Sequence, residues 1–554
     1  MSETTAQTGT APLTGADFIA RRLAAAGAHH AFGIPGGEVL ALMGALEDAG
    51  IAFHLVKHEN AGGFMAEGAW HAEARKGPAA PGILLATLGP GVANAVNVVA
   101  NAWQDRVPLI FLTGCVDAAL AETYTHQVFD HQALLRPVTK ASFRATPGAL
   151  GAMMDKAIRI ALEGQPGPVH VDVPIGVAEG PCDERSGAPQ PLACSGGTVA
   201  TGPALEAARE LFAQARRPLA IAGVDAVNEG AGAGIAAFCR RFDVPLVTTY
   251  KAKGLLDEED PLALGGAGLS PRADAHLLPL LEASDCILLL GYDPIEMRAN
   301  WREPWPESAP VIEIAGSQRD HGMHAVRHLL AGGIAPTLEA LGNGVTPAGG
   351  TWGGGEIARA KKALAALFAP EADGWGPATV FDTLRRALPR DTVATADSGA
   401  HRILVSQMWR TDFPRAMLQS SALCTMACAL PLGIGHALAD PERPVIVFVG
   451  DAGLEMGLGD LATLRDAGLP VIVCVLVDES LALIELKQRA SQRPNVGVDF
   501  SGTDFPAVAR AFGGHGVWVD DAESLAREAG AALARQGFTL LACRIGRRAY
   551  DGKF

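Results

Sequence analysis

The sequence predicts an α/β protein made of three doubly wound parallel-sheet domains. Short β-branched runs alternate with Ala- and Leu-rich segments of helical spacing, several runs end at Gly, Thr or Asp, and two Gly-rich stretches divide the chain into thirds. In the first third the runs are "GILLAT" (82–87), "PLIFLTG" (108–114) and "PVHVDVP" (168–174). The second third has "PLAIAG" (218–223) and "CILLLG" (286–291), and the last has "VIVFVG" (445–450) and "VIVCVLV" (471–477). Continuous apolar runs of this kind are what parallel strands covered on both faces require. The stretches "GPCDERSGAPQPLACSGGT" (180–198) and "LGNGVTPAGGTWGGGE" (341–356) read as linkers, giving domains at 12–180, 195–342 and 360–554. In such sheets ligands sit outside the carboxyl ends of the strands.

Composition narrows the function. A chain of 554 residues is too long for one core, and with 49% hydrophobic and 19% charged residues it is globular rather than disordered. The formal charge of −15 and the absence of a dense Lys/Arg run argue against a nucleic-acid surface, although a small anion can still bind locally to backbone donors. Nine cysteines scattered over the chain suit a reducing cytoplasm better than a secreted disulfide framework. The close pair Cys424 and Cys428 lacks a second pair at metal-site spacing and reads as core packing. The N-terminal "MSETTAQTGTAPLTG" lacks a signal peptide's basic start and apolar centre, and no stretch is long and apolar enough to span a bilayer.

Two strand ends carry acids. "VIVFVGDAG" ends at Asp451, and "VCVLVDES" ends at Asp478 and Glu479. Asp451 and Asp478 lie 27 residues apart, across a segment that reads as turn, helix, loop and strand. One βαβ crossover therefore brings both acids to the same edge of neighbouring or near-neighbouring strands. Two carboxylates with a backbone carbonyl near Ser480 form an oxygen ligand set for Mg²⁺, and the following helix start offers N–H groups to a phosphate. Ordinary helix capping explains the same acids equally well on the residues alone.

The spacing from "GDAG" (450–453) to "DES" resembles the diphosphate motif of the thiamine-diphosphate enzymes, and the chain as a whole resembles their acetolactate synthase family. The motifs follow in order: "FGIPGG" (32–37), "KHENAGGFMAEG" (57–68), "ATLGPGVAN" (86–94), "HQVFDHQALLRPVTK" (126–140), "ADSGAH" (396–401) and "LCTMACALPLGIGHAL" (423–438). The resemblance implies a pyrimidine-binding domain, a Rossmann-like middle domain and a diphosphate-binding domain, with thiamine diphosphate and Mg²⁺ as cofactors. It places the essential acid on Glu59 and a substrate-facing amide on Gln127, with His131 as a further candidate. Glu59 would protonate the coenzyme pyrimidine, after which the coenzyme's own amino group generates its reactive carbanion.

Coenzyme contacts are implied at Pro35, Gly36, Gly37, Thr87, Pro90 and Asn94. Further along they are implied at Ser398, Gly399, Ala400, His401, Cys424 and Met426, with Met426 the apolar wedge beneath the bent coenzyme. The diphosphate side is implied at Gly450, Asp451, Ala452 and Gly453, and at Ser480, Leu481, Ala482, Leu483 and Ile484. Asp451, Asp478 and Ser480 are the implied metal ligands. The family pairs the glutamate of one subunit with the diphosphate domain of another, so a homo-oligomer is implied, a dimer at least and a tetramer commonly.

The middle third carries "LLLGYDPIEMR" (288–298), which resembles the catabolic, FAD-independent branch, and it has no GxGxxG; FAD is not expected. Asp478 stands where most of the superfamily has Asn. Its charge attracts the metal but repels the diphosphate by roughly 3 kcal/mol at about 6 Å and an effective dielectric near 20, which a divalent cation offsets. Lys487, nine residues further on, stands where the biosynthetic enzymes have Trp and catabolic ones tend to have Gln. It either binds an anionic acceptor or is a solvated helix lysine. The implied reaction is decarboxylation of a 2-oxo acid, pyruvate first, with carboligation to a second carbonyl, as in acetolactate synthase. The alternatives are a carboligase or lyase with an aldehyde or anionic acceptor, a simple decarboxylase, and a catalytically silent regulatory relative. The presence of both Glu59 and Asp451 argues against the last.

Overall fold

The computed structural model describes residues 13–182, 197–295, 297–317, 321–347, 351–372 and 374–554. The N-terminal stretch to residue 12, most of the first linker (183–196), part of the second (348–350) and Glu296 of the "GYDPIEMR" segment lie outside them. The chain divides into two compact units. The first takes in residues 13–70, 78–103 and 107–182, and the second residues 71–77, 104–106 and everything described from 197 onward.

The first unit holds one sheet. Its strands are β1 (His30–Gly33), β2 (Ala52–Leu55), β3 (Gly82–Ala86), β4 (Leu109–Cys115), β5 (Ala141–Arg144) and β6 (Pro168–Pro174), in the order β2-β1-β3-β4-β6-β5 with every pairing parallel. Every residue of β4 and β6 is buried, which is why those runs are apolar almost throughout.

The second unit holds two sheets. One contains β7 (Pro218–Ala222), β8 (Leu246–Thr248), β9 (Ala263–Gly266), β10 (Cys286–Leu290), β11 (Val311–Ala315) and β12 (His328–Ala331), in the order β12-β11-β10-β7-β8-β9. The other contains β13 (Val393–Ala396), β14 (Met417–Gln419), β15 (Val445–Gly450), β16 (Ile472–Val477), β17 (His515–Val519) and β18 (Thr539–Arg544), in the order β14-β13-β15-β16-β18-β17. All pairings are again parallel. The fold class expected from the sequence is therefore the one observed.

The sheets of the first and last thirds repeat one order, 2-1-3-4-6-5 counted within each. Chain direction across such a sheet reverses beside its first strand, and the crevice at that reversal, on the carboxyl edge, is where ligands bind. In the last sheet it lies between β13 and β15. β15 and β16 are direct neighbours, with Gly450 opposite Leu476, so Asp451 and Asp478 leave adjacent strands at one edge, as the crossover argument required.

Candidate active site

At that edge Asp451 is the first residue of the helix Asp451–Met456, and Gly450 occupies the cap position. Simple capping therefore does not describe Asp451. Its Oδ2 accepts the backbone N–H groups of Asp478 at 3.0 Å and Glu479 at 2.7 Å, and its Oδ1 accepts that of Ala452 at 2.9 Å. The carboxylate thus bridges two strand ends. Asp478 accepts the Ser480 N–H at 3.3 Å, and Glu479 between them takes a left-handed φ of 55° that turns the chain so both acids remain inside. Both are buried. Burial pushes the Asp451 carboxyl up, against the pull of the three N–H groups. Burial, and next the charge of Asp451, push Asp478 up to about 8. Two buried acids that resist ionising together are what a divalent cation would relieve.

The helix after Ser480 starts at Ala482, two residues later than its spacing suggested. The Leu481 N–H donates to the Val498 carbonyl at 2.8 Å and the Ile484 N–H to the Leu481 carbonyl at 2.8 Å. Ala482 and Leu483 have N–H groups with no acceptor among the described residues, at the place expected for a phosphate. The buried Ser480 hydroxyl also has no partner among the described residues. These observations fit a diphosphate and its metal. Glu479 is spent on the turn, and Lys487 is exposed.

The loop after β13 adds a residue that the sequence analysis passed over. Asp397 is fully buried; its Oδ1 meets His401 Nε2 at 2.8 Å and its Oδ2 accepts the Ala427 N–H at 2.7 Å. His401 thus lies at the strand edge with one ring nitrogen committed to Asp397. The signal was available, since Asp397 is also an acid at the end of an apolar run. Ser398 donates its N–H to Thr425 O at 3.4 Å, Gly399 is extended, and Ala400 opens the helix Ala400–Met408. Gly453 faces Asp397 so closely that a Cβ there would stand 2.3 Å from Asp397 Oδ2. Gly453→Ala is therefore expected to displace Asp397, lower the melting temperature by several degrees and weaken coenzyme binding at least about tenfold. Calorimetry on the variant with and without coenzyme checks both effects.

Met426 is half-buried and sits between two left-handed residues, Cys424 at φ 50° and Ala427 at φ 64°. Cys424 Sγ accepts from Arg402 at 3.1 Å and donates to Ser421 O at 3.2 Å, which is packing rather than metal chemistry. Tyr550, near the C-terminus, is buried close to the acid pair; burial, then the charges of Asp478 and Asp451, raise its phenol. No sequence motif pointed to it.

In the first unit Glu59 begins the helix Glu59–Ala74 and is buried. Its Oε2 accepts from Asn94 Nδ2 at 3.0 Å, so Asn94 holds the carboxylate. A Cβ on Gly91 would lie 3.3 Å from Glu59 Oε1, so the turn Gly89–Gly91 lies against it. Gly36 is forced, because a Cβ would fall 2.3 Å from Thr87 Oγ1, whereas Gly37 faces open space. The Thr87 hydroxyl donates to Glu38 at 2.7 Å, a partner not foreseen. Pro35 is exposed beside this turn.

Gln127 is exposed, in a left-handed conformation at φ 60°, with its backbone against Gly89. His131 does not face an open site. It is buried, with Nδ1 at 2.8 Å from Asp172 Oδ1 and Nε2 accepting the Gly89 N–H at 3.1 Å. Asp172 also takes the Thr113 hydroxyl at 2.6 Å, and His170 bridges Thr113 and Ser142 at 2.8 Å each. Burial alone would raise the Asp172 carboxyl, but hydrogen bonds from His131 and His170 hold it well below the usual carboxylate range. His131, His170 and Asp172 could converge on a metal, but hydrogen bonds to Gly89, Thr113 and Ser142 already satisfy them. They hold the Gly89 turn that lies against Glu59.

Three family models match the chain in order. They are the thiamine pyrophosphate enzyme N-terminal TPP binding domain over residues 13–134, the central domain over 205–341 and the C-terminal TPP binding domain over 397–543. The chain is thus a thiamine-diphosphate enzyme. An acetolactate synthase large subunit of Parasynechococcus marenigrum is 29% identical over 97% of this chain and 88% of its own length. The acetolactate synthase of Bacillus subtilis is 28% identical over 92% and 90%. A probable 2-ketoarginine decarboxylase of Pseudomonas aeruginosa is 29% identical over 96% and 94%. The chain belongs to the acetolactate synthase family of these enzymes, whose general chemistry is decarboxylation and carboligation. No helix among the described residues is long and apolar enough to cross a membrane.

Proposed function

We propose that the protein decarboxylates a 2-oxo acid, pyruvate in the first instance, and joins the remaining two-carbon unit to a second carbonyl to give acetolactate or a close analogue. The single observation that carries this is the buried pair Asp451 and Asp478 at adjacent strand ends, beside helix-start N–H groups that have no acceptor among the described residues. Bound thiamine diphosphate supplies a nucleophilic carbon and an electron sink.

The chain's own residues do the rest. The carboxylates of Asp451 and Asp478 and the Ser480 carbonyl would hold Mg²⁺, and the N–H groups of Ala482 and Leu483 would receive the phosphate. Glu59, oriented by Asn94, would hold a proton at the coenzyme pyrimidine. Met426 would press on the coenzyme from below, and Gln127 would orient the substrate. Tyr124 and Phe129 near Gln127 in sequence, Met456 at the end of the helix that Asp451 begins, and Ile484 on the helix Ala482–Ala490 are exposed apolar side chains that a subunit interface would cover. They support a dimer at least, with a tetramer as the family's common form, working in the cytoplasm without FAD.

Two alternative readings each have one observation behind them: decarboxylation without carboligation, from a relative, and carboligation to an anionic acceptor, from one residue. The relative named a probable 2-ketoarginine decarboxylase matches over as much of the chain as the synthases do. Lys487 is exposed on the helix Ala482–Ala490, where it would favour an anionic acceptor over a cationic one. Purified protein with thiamine diphosphate, Mg²⁺ and pyruvate, followed by mass analysis, is expected to yield acetolactate. Acetaldehyde and CO₂ alone would make it a decarboxylase. Turnover of 2-ketoarginine but not pyruvate would replace the donor, and a yellow protein-bound chromophore would overturn the flavin-free assignment.

A further inference from the structure

The loop Ser420–Cys428, which presents Met426, contains two non-glycine residues in the left-handed region, Cys424 and Ala427. Such backbone persists only where its surroundings over-determine it. One end is fixed by Asp397, which takes the Ala427 N–H. The other end is fixed by a residue far away in sequence. Asp105 belongs to the segment Gln104–Arg106, which clusters with the second unit. Its Oδ2 accepts the Ser421 N–H at 2.9 Å, and its Oδ1 accepts the Ala422 N–H at 2.9 Å. Lys251 Nζ lies 2.9 Å from the same Oδ2, with side chains 10% exposed for Lys251 and 0% for Asp105.

The segment is itself clamped. Arg106, at φ 59°, pairs with Asp293 at 2.8 Å through Nη2, and its carbonyl accepts from Asn228 Nδ2 at 3.2 Å. Asn228 Oδ1 in turn accepts from Arg415 Nη2 at 2.9 Å. The Met426 loop is therefore slung between two buried carboxylates, Asp397 at its end and Asp105 at its start.

We propose that Asp105, charge-paired with Lys251, is a positioning residue that sets the Ser420–Cys428 loop for coenzyme binding. A buried carboxylate accepting two N–H groups needs a counter-charge, and Lys251 is the cation in contact with it. Loss of either partner releases the start of the loop while Asp397 still holds its end. Met426 then loses its fixed height, and coenzyme affinity falls before substrate affinity does. The inference rests on Met426 facing the coenzyme.

The test is amide hydrogen exchange at single-residue resolution on the coenzyme-free protein, with coenzyme affinity from tryptophan fluorescence. The Ser421 and Ala422 amides are expected to exchange slowly in the wild type. They should exchange at least about tenfold faster in Asp105→Asn and Lys251→Met, with Lys251→Arg restoring protection. Thiamine diphosphate should bind the first two variants about tenfold more weakly, with the KM for pyruvate unchanged at saturating coenzyme. Fast exchange of both amides in the wild type overturns the proposal, as does wild-type exchange in the variants. Faster exchange with unchanged coenzyme affinity overturns the positioning role. If Asp105→Asn does not fold, the wild type and Lys251→Met decide. A wild type that binds no thiamine diphosphate defeats the coenzyme assignment instead, and the exchange data then judge the Asp105 clamp by itself.

Discussion

Glu59→Gln is expected to leave a folded protein whose turnover is at least about a hundredfold lower, a loss of roughly 2.7 kcal/mol of transition-state stabilisation. The substitution is nearly isosteric, and the amide can still accept from Asn94 Nδ2 through its carbonyl, so the contact at 3.0 Å survives. What disappears is a group that can hold and return a proton. Glu59 is buried, with the Gly91 turn against its Oε1, so solvent does not readily substitute for it. Steady-state rates at saturating coenzyme, with a melting curve to establish folding, check this. A variant retaining most of its activity would remove Glu59 from the chemistry. Asn94→Ala should act in the same direction but more weakly, because it releases the acid without deleting it.

The parts legible in the sequence were those where local chemistry is rigidly required. β4, β6, β10, β15 and β16 are buried along nearly their whole length, so their runs are apolar and easy to see. β2 and β5 are half-exposed, as "AFHL" and "ASFR", and edge strands of that composition leave no continuous run to detect. Asp451 and Asp478 were legible because one crossover fixes their relation. Asp397 was quoted within "ADSGAH" and still missed, because its partners, His401 and the Ala427 N–H, come together only when the loop folds. His131 was visible as a histidine near Gln127, but its burial against Asp172 is a tertiary fact. Asp105 sits in "WQDRVP", with nothing nearby to suggest that it meets a loop some 316 residues later.

Cation affinity is expected to rise about tenfold per pH unit well below pH 8 and to level off above it, a gain of roughly fiftyfold between pH 6 and pH 8. The reason is Asp478, whose carboxyl burial and the Asp451 charge push up to about 8. Below that pH the cation must displace a proton to use it, and above it the ligand is already ionised. The same shift sets the metal-free protein's stability. The folded state holds a proton that the unfolded chain releases near pH 4, so stability is fully present below that value. It is lost as pH rises towards 8, by up to about 1.4 kcal/mol per unit. Asp478→Asn removes both effects together. The metal-free variant should be more stable than the wild type at pH 8, and its cation affinity should be weaker there but nearly flat with pH. Titration calorimetry in buffers of different ionisation enthalpy reads the proton directly, with about one released per Mg²⁺ at pH 7 and none at pH 9 in the wild type. Pure capping by Asp478 predicts no released proton at either pH, and activity that survives exhaustive chelation. A cation that binds with proton release only when Asp478 is present makes this acid a metal ligand.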